Sequence, residues 1–527
     1  MYKVLISDDV ANECVKMFES VEGIEVDCRT GLSPDEFKAI IGDYDGLVVR
    51  SQTKVRGDAI ALAKKLKVIG RAGAGVDNID VASATDAGIV VMNTPGGNTV
   101  STAEHTLSLI MALSRNIAQG DRSIKEGKWE RKKYMGVELR GKTIGIIGLG
   151  NIGQVVVHLA MTFGMKVLGH DPFLSTDLAE SLGITTASLD EIWANADYIT
   201  FHTPLNDSTR HLINEKTLKK CKDGVRIINC ARGGIVDEQA LLRAIESGKV
   251  AGAALDVFEQ EPPVNNPLVR HEKVVCTPHL GASTAEAQDI VALMVAEQVR
   301  DYLLTGEVRN AVNMPSLVSE IYEQVKPFMN LGNRMGSLLG QLCEGQLNTI
   351  TITYFGDLTN VNIWPITSSI LQGVFARSYF EGVNIINARS TAEKHGIMVQ
   401  EVKSTLEQDF KNCLEVKLKT SKDESTVLGS IFGRKDPRVI NLNSFSIDFV
   451  PEGNMLICSN HDRPGLIGSI GTILGANRIN IAQMTWARLT PDGDALTVLN
   501  TDEDVSNEVV AEVKKIDGIR WVKSVNL

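Results

Sequence analysis

The sequence predicts an α/β fold: two doubly wound, parallel-sheet lobes with a cleft between them, then an α+β unit and a small terminal α+β sandwich. Three observations carry this. Short apolar strands alternate with helical segments over 1–98. A glycine turn, Gly148-Leu149-Gly150-Asn151-Ile152-Gly153, lies between an apolar strand and a helical stretch with a domain-sized segment before it. From residue 454 the pattern becomes strand, helix, strand, strand, helix, strand, which reads as ferredoxin-like.

Composition bounds the function. A chain of 527 residues holds roughly three to four domains, and 43% hydrophobic content is ordinary for a globular protein. A net charge of −11 and a pI near 5.5 exclude nucleic acid and anionic membrane as main partners. The eight cysteines are scattered without a Cys-x-x-Cys, so neither a disulfide framework nor a metal site is predicted, and a reducing compartment is. The start, Met1 to Asp9, turns acidic before any signal-peptide core, and no apolar run approaches membrane-spanning length. A cytoplasmic protein is the expectation.

In order along the chain, strands are predicted at 2–7, 24–28, 46–50, 67–70 and 89–92, and the run 99–113 is long enough to cross into the next lobe. That lobe opens with a strand at 143–147, the glycine turn and a helix at 154–163. Gly148, Gly150 and Gly153 would allow the tight turn, the close approach of backbone to a pyrophosphate, and the packing of helix on strand. The next strand, 166–169, ends at His170-Asp171, eighteen residues beyond Gly153, where a carboxylate can accept from adenosine ribose hydroxyls. Pro172 and Phe173 follow with no adjacent arginine, so NAD is expected over NADP. Further strands at 198–202, 225–229, 252–257 and 274–277 precede a helix at 284–304 that should return to the first lobe. The first domain is therefore read as discontinuous, 1–98 with 284–313, and the nucleotide domain as 99–283. Residues 314–452 form the intervening unit, with a helix at 366–380, strands at 348–355 and 414–420 and hairpins over 425–450; 453–527 form the last.

Three post-strand loops collect the chemistry. Arg232, in Cys230-Ala231-Arg232-Gly233-Gly234, emerges at a strand's carboxyl end and suits a substrate carboxylate. Asp256 and Glu261 share the next loop, and His279, in Pro278-His279-Leu280-Gly281-Ala282, follows a third strand. An arginine, a glutamate and a histidine can together remove a hydroxyl proton while a hydride leaves the same carbon. The bland alternatives are an Arg232–Glu261 structural ion pair, structural roles for His105, His170 and His202, a packing role for Cys230, and a solvated Arg131-Lys132-Lys133 face.

These motifs, with Glu261-Pro262-Pro263, resemble the NAD-dependent D-isomer-specific 2-hydroxyacid dehydrogenases. The runs Val48-Val49-Arg50-Ser51, Arg71 to Asn78, Asn93 to Asn98 and Lys128 to Lys133 narrow the resemblance to the long-form D-3-phosphoglycerate dehydrogenase branch, and Asp462 to Gly468 with Ile479 to Ala482 are similar to an ACT domain. The resemblance implies NAD-dependent oxidation of 3-phospho-D-glycerate to 3-phosphohydroxypyruvate, the first step of L-serine biosynthesis, in a homotetramer. His279 would be the acid/base, Glu261 would stabilise its charged form, and Arg232 would clamp the carboxylate. Ala74, Asn151, Ile152, Asp171, Thr203, Cys230, Ala231, Asp256 and Ala282 would line the cofactor, with Asp256 at the nicotinamide end. Arg50 would meet the phosphate, Arg131 being a second candidate from a neighbouring subunit, with Ser51, Gly73, Ala74 and Asn98 also at the substrate. In the last domain Asn460, Asp462 and Asn480 match by position the groups that hold serine in regulated relatives, although Asn460 stands where the serine-inhibited pattern has a histidine. Two other readings are a glyoxylate or hydroxypyruvate reductase and an NAD-sensing, corepressor-like binding protein.

Overall fold

The computed structural model describes residues 1–315, 319–376, 379–380, 382–406, 408–433 and 435–527. The first sheet contains β1 (Tyr2–Ile6), β2 (Ile24–Cys28), β3 (Gly46–Val49), β4 (Val68–Arg71) and β5 (Val90–Met92), in the order β2-β1-β3-β4-β5. All four pairings are parallel. The central strands are continuous apolar runs because a parallel sheet is buried on both faces, and Val4, Leu5, Val48, Val49, Val68 and Ile69 are fully enclosed. β3 stops one residue before Arg50 because the buried Asp8 carboxylate accepts from the N–H groups of Arg50, Gln52 and Thr53, turning the chain there. The helix Ala285–Thr305, capped by Thr284, packs Val291, Val295, Val299 and Leu303 against Val4, Val48 and Val68. Gly70 permits this approach, since a Cβ there would lie 2.6 Å from both Val295 and Val299.

The second sheet contains β6 (Thr143–Ile147), β7 (Lys166–His170), β8 (Thr185–Thr186), β9 (Tyr198–Phe201), β10 (Val225–Asn229), β11 (Val250–Leu255) and β12 (Val274–Cys276), ordered β12-β11-β10-β9-β6-β7-β8. It too is parallel throughout. Its order reverses between β6 and β9, and the crevice at the carboxyl ends of strands flanking such a switch is where α/β folds bind ligands. The crossing helix Thr99–Arg115 packs Ala103, Leu107 and Ile110 into this lobe's core beside Ile146, Val156 and Ala160.

The third sheet is β13 (Leu347–Phe355), β14 (Met398–Ser404), β15 (Cys413–Thr420), β16 (Glu424–Phe432), β17 (Asp436–Leu442) and β18 (Phe445–Phe449), ordered β14-β13-β15-β16-β17-β18 and antiparallel except for β13 with β14. Two helices pack together beside it. The expected helix 366–380 runs Trp364–Ala376, with 377 and 378 outside the described residues, as is 434 within the expected hairpins. The other, Ser319–Leu342, was not anticipated. Pro327 and three glycines interrupt its pattern, yet two of those glycines are why it packs so closely. A Cβ on Gly332 would lie 2.7 Å from Ile370 Cγ1, and one on Gly336 would lie 2.2 Å from the Ile370 carbonyl.

The fourth sheet is β19 (Asn454–His461), β20 (Ile481–Arg488), β21 (Asp494–Thr501) and β22 (Ile519–Asn526), antiparallel in the order β20-β21-β19-β22. Helices Leu466–Ala476 and Asn507–Lys514 share one core with Leu456, Cys458 and Leu499. Met455, Ile457, Leu496, Val498 and Val525 instead join a core with Leu338, Leu418 and Phe449, so the third and fourth sheets are packed as one unit across residue 452.

The expected turn site for an amino acid is corrected here. Asn460 is not in a turn. It is buried within β19, where its Oδ1 accepts from Thr497 and its Nδ2 donates to the His461 carbonyl. Asp462 pairs with Arg488 at one end of β20, whereas Asn480 donates to Asp502 at the other, roughly 25 Å away at about 3.3 Å per residue. The three side chains therefore do not converge. Among the described residues, no helix is long and apolar enough to cross a membrane, and no group of three or more His, Cys, Asp or Glu could hold a metal.

Candidate active site

The glycine turn is shaped by close contacts. Gly148 has φ +92°, a left-handed conformation, and a Cβ on it would lie 2.5 Å from the His202 carbonyl; one on Gly153 would lie 2.1 Å from the Gly148 carbonyl. Gly150 faces open space at the start of the helix Asn151–Thr162, whose first N–H groups have no side-chain cap. That leaves donors free at the positive end of a helix, an arrangement suited to a pyrophosphate. Asp171 follows β7, its Oδ2 accepting from Leu149 N (2.8 Å) and its Oδ1 from Phe173 N (2.9 Å), which ties the carboxylate to the glycine turn. Across the crevice the buried Thr203 Oγ1 has no partner within the protein. A cradle that any Cβ would fill, an uncapped helix, a carboxylate and an orphaned hydroxyl together fit a dinucleotide. Two neighbours have no proton-transfer role there: burial pushes the Cys230 thiol up to about 12 and the His202 imidazole down to about 4, so both are neutral near pH 7.

Three arginines stand one after another at strand ends. Arg232, beyond β10, donates from Nε to Asp77 Oδ2 at 3.0 Å and from Nη1 to the Ala231 carbonyl at 2.7 Å. The guanidinium lies over Gly75, where a Cβ would meet Nη2 at 1.9 Å. Its ion-pair partner is thus Asp77 on the other lobe, not Glu261. Arg71 closes β4 and donates from Nε to the Arg50 carbonyl and to Asn78 Oδ1; Gly73, at φ +147°, makes room for it. Burial, then the charges of Arg232 and Arg50 against the opposing Asp77 and Asp8, lowers Arg71 to about 10. An anionic ligand would relieve the repulsion that Arg232 and Arg50 exert on Arg71.

Other expected substrate residues lie around them. Ser51 is exposed beside Arg50, Gly73 N donates to Thr94 Oγ1, the Ala74 carbonyl accepts from Asn93, and Asn98 donates to Thr102. Arg131 is not brought into this group. Its segment lies with Glu272 and Arg226 at the amino-terminal ends of β10 and β12, the far side of the sheet from the crevice, where Gln119 donates to the Glu272 carbonyl and Lys133 lies 3.9 Å from Glu272. Arg71 and Asp77 were missed in the sequence. Arg71 had a readable signal, since like Arg50 and Arg232 it ends an apolar strand; Asp77 had none.

His279 follows β12 with φ +56°, a conformation that costs a residue with a Cβ about 1–2 kcal/mol. Its Nδ1 lies 2.8 Å from Glu261 Oε2, and both groups are partly exposed. Burial works to raise the Glu261 carboxyl, but the His279 hydrogen bond and charge and the Phe258 N–H outweigh it and hold the group below the usual carboxylate range. Asp256 is fully buried, and its carboxylate accepts from Thr277 Oγ1 (2.5 Å), Leu280 N (2.7 Å), Gly281 N (2.9 Å) and His105 Nε2 (3.2 Å). Its lone pairs are directed into the loop that carries His279. Ala282 lies in that loop, Ile152 in the first turn of the helix Asn151–Thr162, and Ala231 just beyond β10. A histidine–carboxylate pair at one strand end and guanidiniums at others can bind an anionic hydroxy acid and take its hydroxyl proton on the neutral imidazole.

Comparisons with known proteins place the chain in a family. Residues 107–281 match the D-isomer specific 2-hydroxyacid dehydrogenase NAD-binding domain, 324–443 the D-3-phosphoglycerate dehydrogenase intervening domain, and 454–518 the ACT domain. The D-3-phosphoglycerate dehydrogenase of Synechocystis sp. is 42% identical over 100% of this chain and 95% of its own length; that of Archaeoglobus fulgidus is 43% identical over 98% of each. The Homo sapiens enzyme of that name is 45% identical over 78% of each chain. Among solved structures, a glyoxylate reductase from Paecilomyes thermophila superposes with TM-score 0.55 at 34% identity, over 59% of this chain and 98% of its own. A D-lactate dehydrogenase from Aquifex aeolicus, solved with NAD and lactic acid, does so with TM-score 0.54 at 28% identity, over 59% and 100%. With full-length identity above 40% to those enzymes and matches to all three domain models, the chain belongs to the D-3-phosphoglycerate dehydrogenase family of NAD-dependent D-isomer-specific 2-hydroxyacid dehydrogenases.

Proposed function

We propose that the enzyme oxidises 3-phospho-D-glycerate to 3-phosphohydroxypyruvate, the first step of L-serine biosynthesis. The observation that supports this substrate over a simple hydroxy acid is the trio Arg50, Arg71 and Arg232, more positive charge than a single carboxylate needs. NAD, when bound, accepts the hydride at its nicotinamide ring. Arg232 binds the substrate carboxylate and orients C2, while Arg50 and Arg71 face the phosphate. His279 takes the C2 hydroxyl proton at Nε2, since Nδ1 is engaged by Glu261, whose negative charge stabilises the imidazolium that forms. Asp171 receives the adenosine ribose, and the Gly148–Gly153 turn receives the pyrophosphate.

The reading extends to assembly. Ile117, Ile124, Trp129 and Met135 are exposed on one flank, Trp129 to 79% and Met135 to 80%, which supports a homo-oligomer, a tetramer by family likeness. In such an assembly Arg131, on that flank, serves a neighbouring subunit. Eight free cysteines suit a cytoplasmic enzyme. An amino-acid effector such as serine at the ACT region would use Asp462 or Asn480, Asn460 being enclosed.

Steady-state assays with 3-phosphoglycerate and with lactate, which has a single carboxylate, test the substrate. Arg50→Ala and Arg71→Ala should raise KM for the phosphorylated acid by about ten-fold or more, as loss of a charge-assisted contact does, and far less for the other. Equal losses on both, or a preference for glyoxylate or hydroxypyruvate reduction, would overturn it.

A further inference from the structure

The crossing helix Thr99–Arg115 is joined to the His279 loop by a set of side-chain bonds that the reaction scheme does not use. Ser101 Oγ lies 2.7 Å from Thr284 Oγ1, Thr102 Oγ1 donates to the Gly281 carbonyl at 3.1 Å, and His105 Nε2 lies 3.2 Å from Asp256 Oδ1 and 3.1 Å from Thr277 Oγ1. We propose that His105 is a positioning residue for this reaction, holding the proton-transfer loop through Asp256 and Thr277; the role rests on His279 being the acid/base.

The proton inventory determines how the imidazole bonds. An ionised Asp256 can only accept, and the Thr277 hydroxyl hydrogen is committed to it at 2.5 Å, so His105 Nε2 must carry the hydrogen at this junction. Asp256 Oδ1 then accepts from three donors, Thr277 O–H, Leu280 N–H and His105 N–H, and Oδ2 from Gly281 N–H. Two of these donors are the backbone amides immediately after His279. The Asp256 carbonyl accepts from His279 N itself at 2.9 Å. The loop needs such restraint because His279 is in the left-handed region, which relaxes once its surroundings no longer impose it. Gly281 fits because it has no Cβ, which would stand 3.2 Å from Asp256 Oδ2.

His105→Leu removes the donor and keeps much of the volume, while His105→Gln retains an N–H at the end of the side chain. In the full-length enzyme, His105→Leu should lower kcat by about ten-fold or more with both KM values held within about two-fold, because a slightly misplaced reacting group loses rate without losing binding. Hydrogen exchange at residues 277–284 should quicken in parallel, and His105→Gln should restore both. Thr277→Val, which deletes one hydroxyl from the same junction, should repeat the kcat loss and stands in if His105→Leu does not fold. Unchanged kcat and exchange in folded His105→Leu, with His279→Ala inactive, overturns the positioning role. Unchanged kcat in His279→Ala overturns instead the assignment on which it rests.

Discussion

Nδ1 of His279 lies 2.8 Å from Glu261 Oε2, which leaves Nε2 as the ring nitrogen free to meet a substrate hydroxyl. His279→Ala should lower kcat by about two to four orders of magnitude, with NAD affinity largely retained. Glu261→Gln removes the charge that favours the imidazolium, so the acid limb of the kcat profile should move to lower pH. Titration of NAD fluorescence quenching and steady-state rates across pH check both outcomes.

Asp77 and Gly75 hold Arg232 from the opposite lobe. Gly75→Ala would place a methyl group against Nη2, so it should mimic Arg232→Ala, each reducing kcat/KM by about a hundred-fold or more. Asp77→Ala leaves the space and removes only the tether, and its loss should be smaller. If Gly75→Ala proved silent, Arg232 would have to bind substrate from another rotamer.

At the adenosine end, Asp171 and the backbone it anchors offer a ribose two acceptor oxygens and no cation. A 2′-phosphate would meet like charge there, so kcat/KM should favour NAD over NADP, and Asp171→Ala should narrow the gap. Equal use of the two cofactors by the parent enzyme would contradict this.

Burial works to raise the Asp256 carboxyl, but hydrogen bonds from His105, Thr277, Leu280 and Gly281 outweigh it and hold the group below the usual carboxylate range. Because the folded value lies below the unfolded one, its stabilisation is complete above about pH 4, the unfolded value, and is lost as pH falls through the lower, folded value. Asp256→Asn should cost about 1–3 kcal/mol at neutral pH, and the difference from the parent in urea unfolding should shrink below pH 4.

Removal of residues 454–527 should destabilise what remains of the intervening unit, since Met455, Ile457, Leu496 and Val498 share its core, and Gln341 and Lys523 bridge the two parts. A cut after residue 313 removes the whole unit and should leave a folded, NAD-binding pair of lobes. Solved relatives that match 59% of this chain over 98% to 100% of their own are built that way. Light scattering and thermal melting of the two truncations distinguish them.

Most of the two lobes was legible because parallel strands advertise themselves as apolar runs, and glycine with aspartate at fixed spacing marks one turn. Ends were less so: Arg50 leaves β3 through hydrogen bonds to Asp8, a residue distant in sequence. Helix Ser319–Leu342 was hidden by the very glycines that seat it, and β14, whose residues are almost all exposed, has no apolar face to announce it. At the site, residues that follow strands were readable as chemistry. The pairings were not, because Asp77 meets Arg232 only when the lobes face each other, and Asp256 reads as a cleft acid until its buried partners are known.

The helix Ala285–Thr305 supplies one wall of the first sheet's core, yet it lies well over a hundred residues beyond β5. As the chain leaves the ribosome, Cys14 and Phe18 of the helix Asn12–Glu19 can cover part of that face, but the share taken by Val291, Val295, Val299 and Leu303 stays open until residue 303 has emerged. The intervening nucleotide lobe has by then all its strands and its own crossing helix. The lobe synthesised first is therefore completed second, and during that interval its half-covered sheet is the part of the nascent chain most in need of a chaperone's surface.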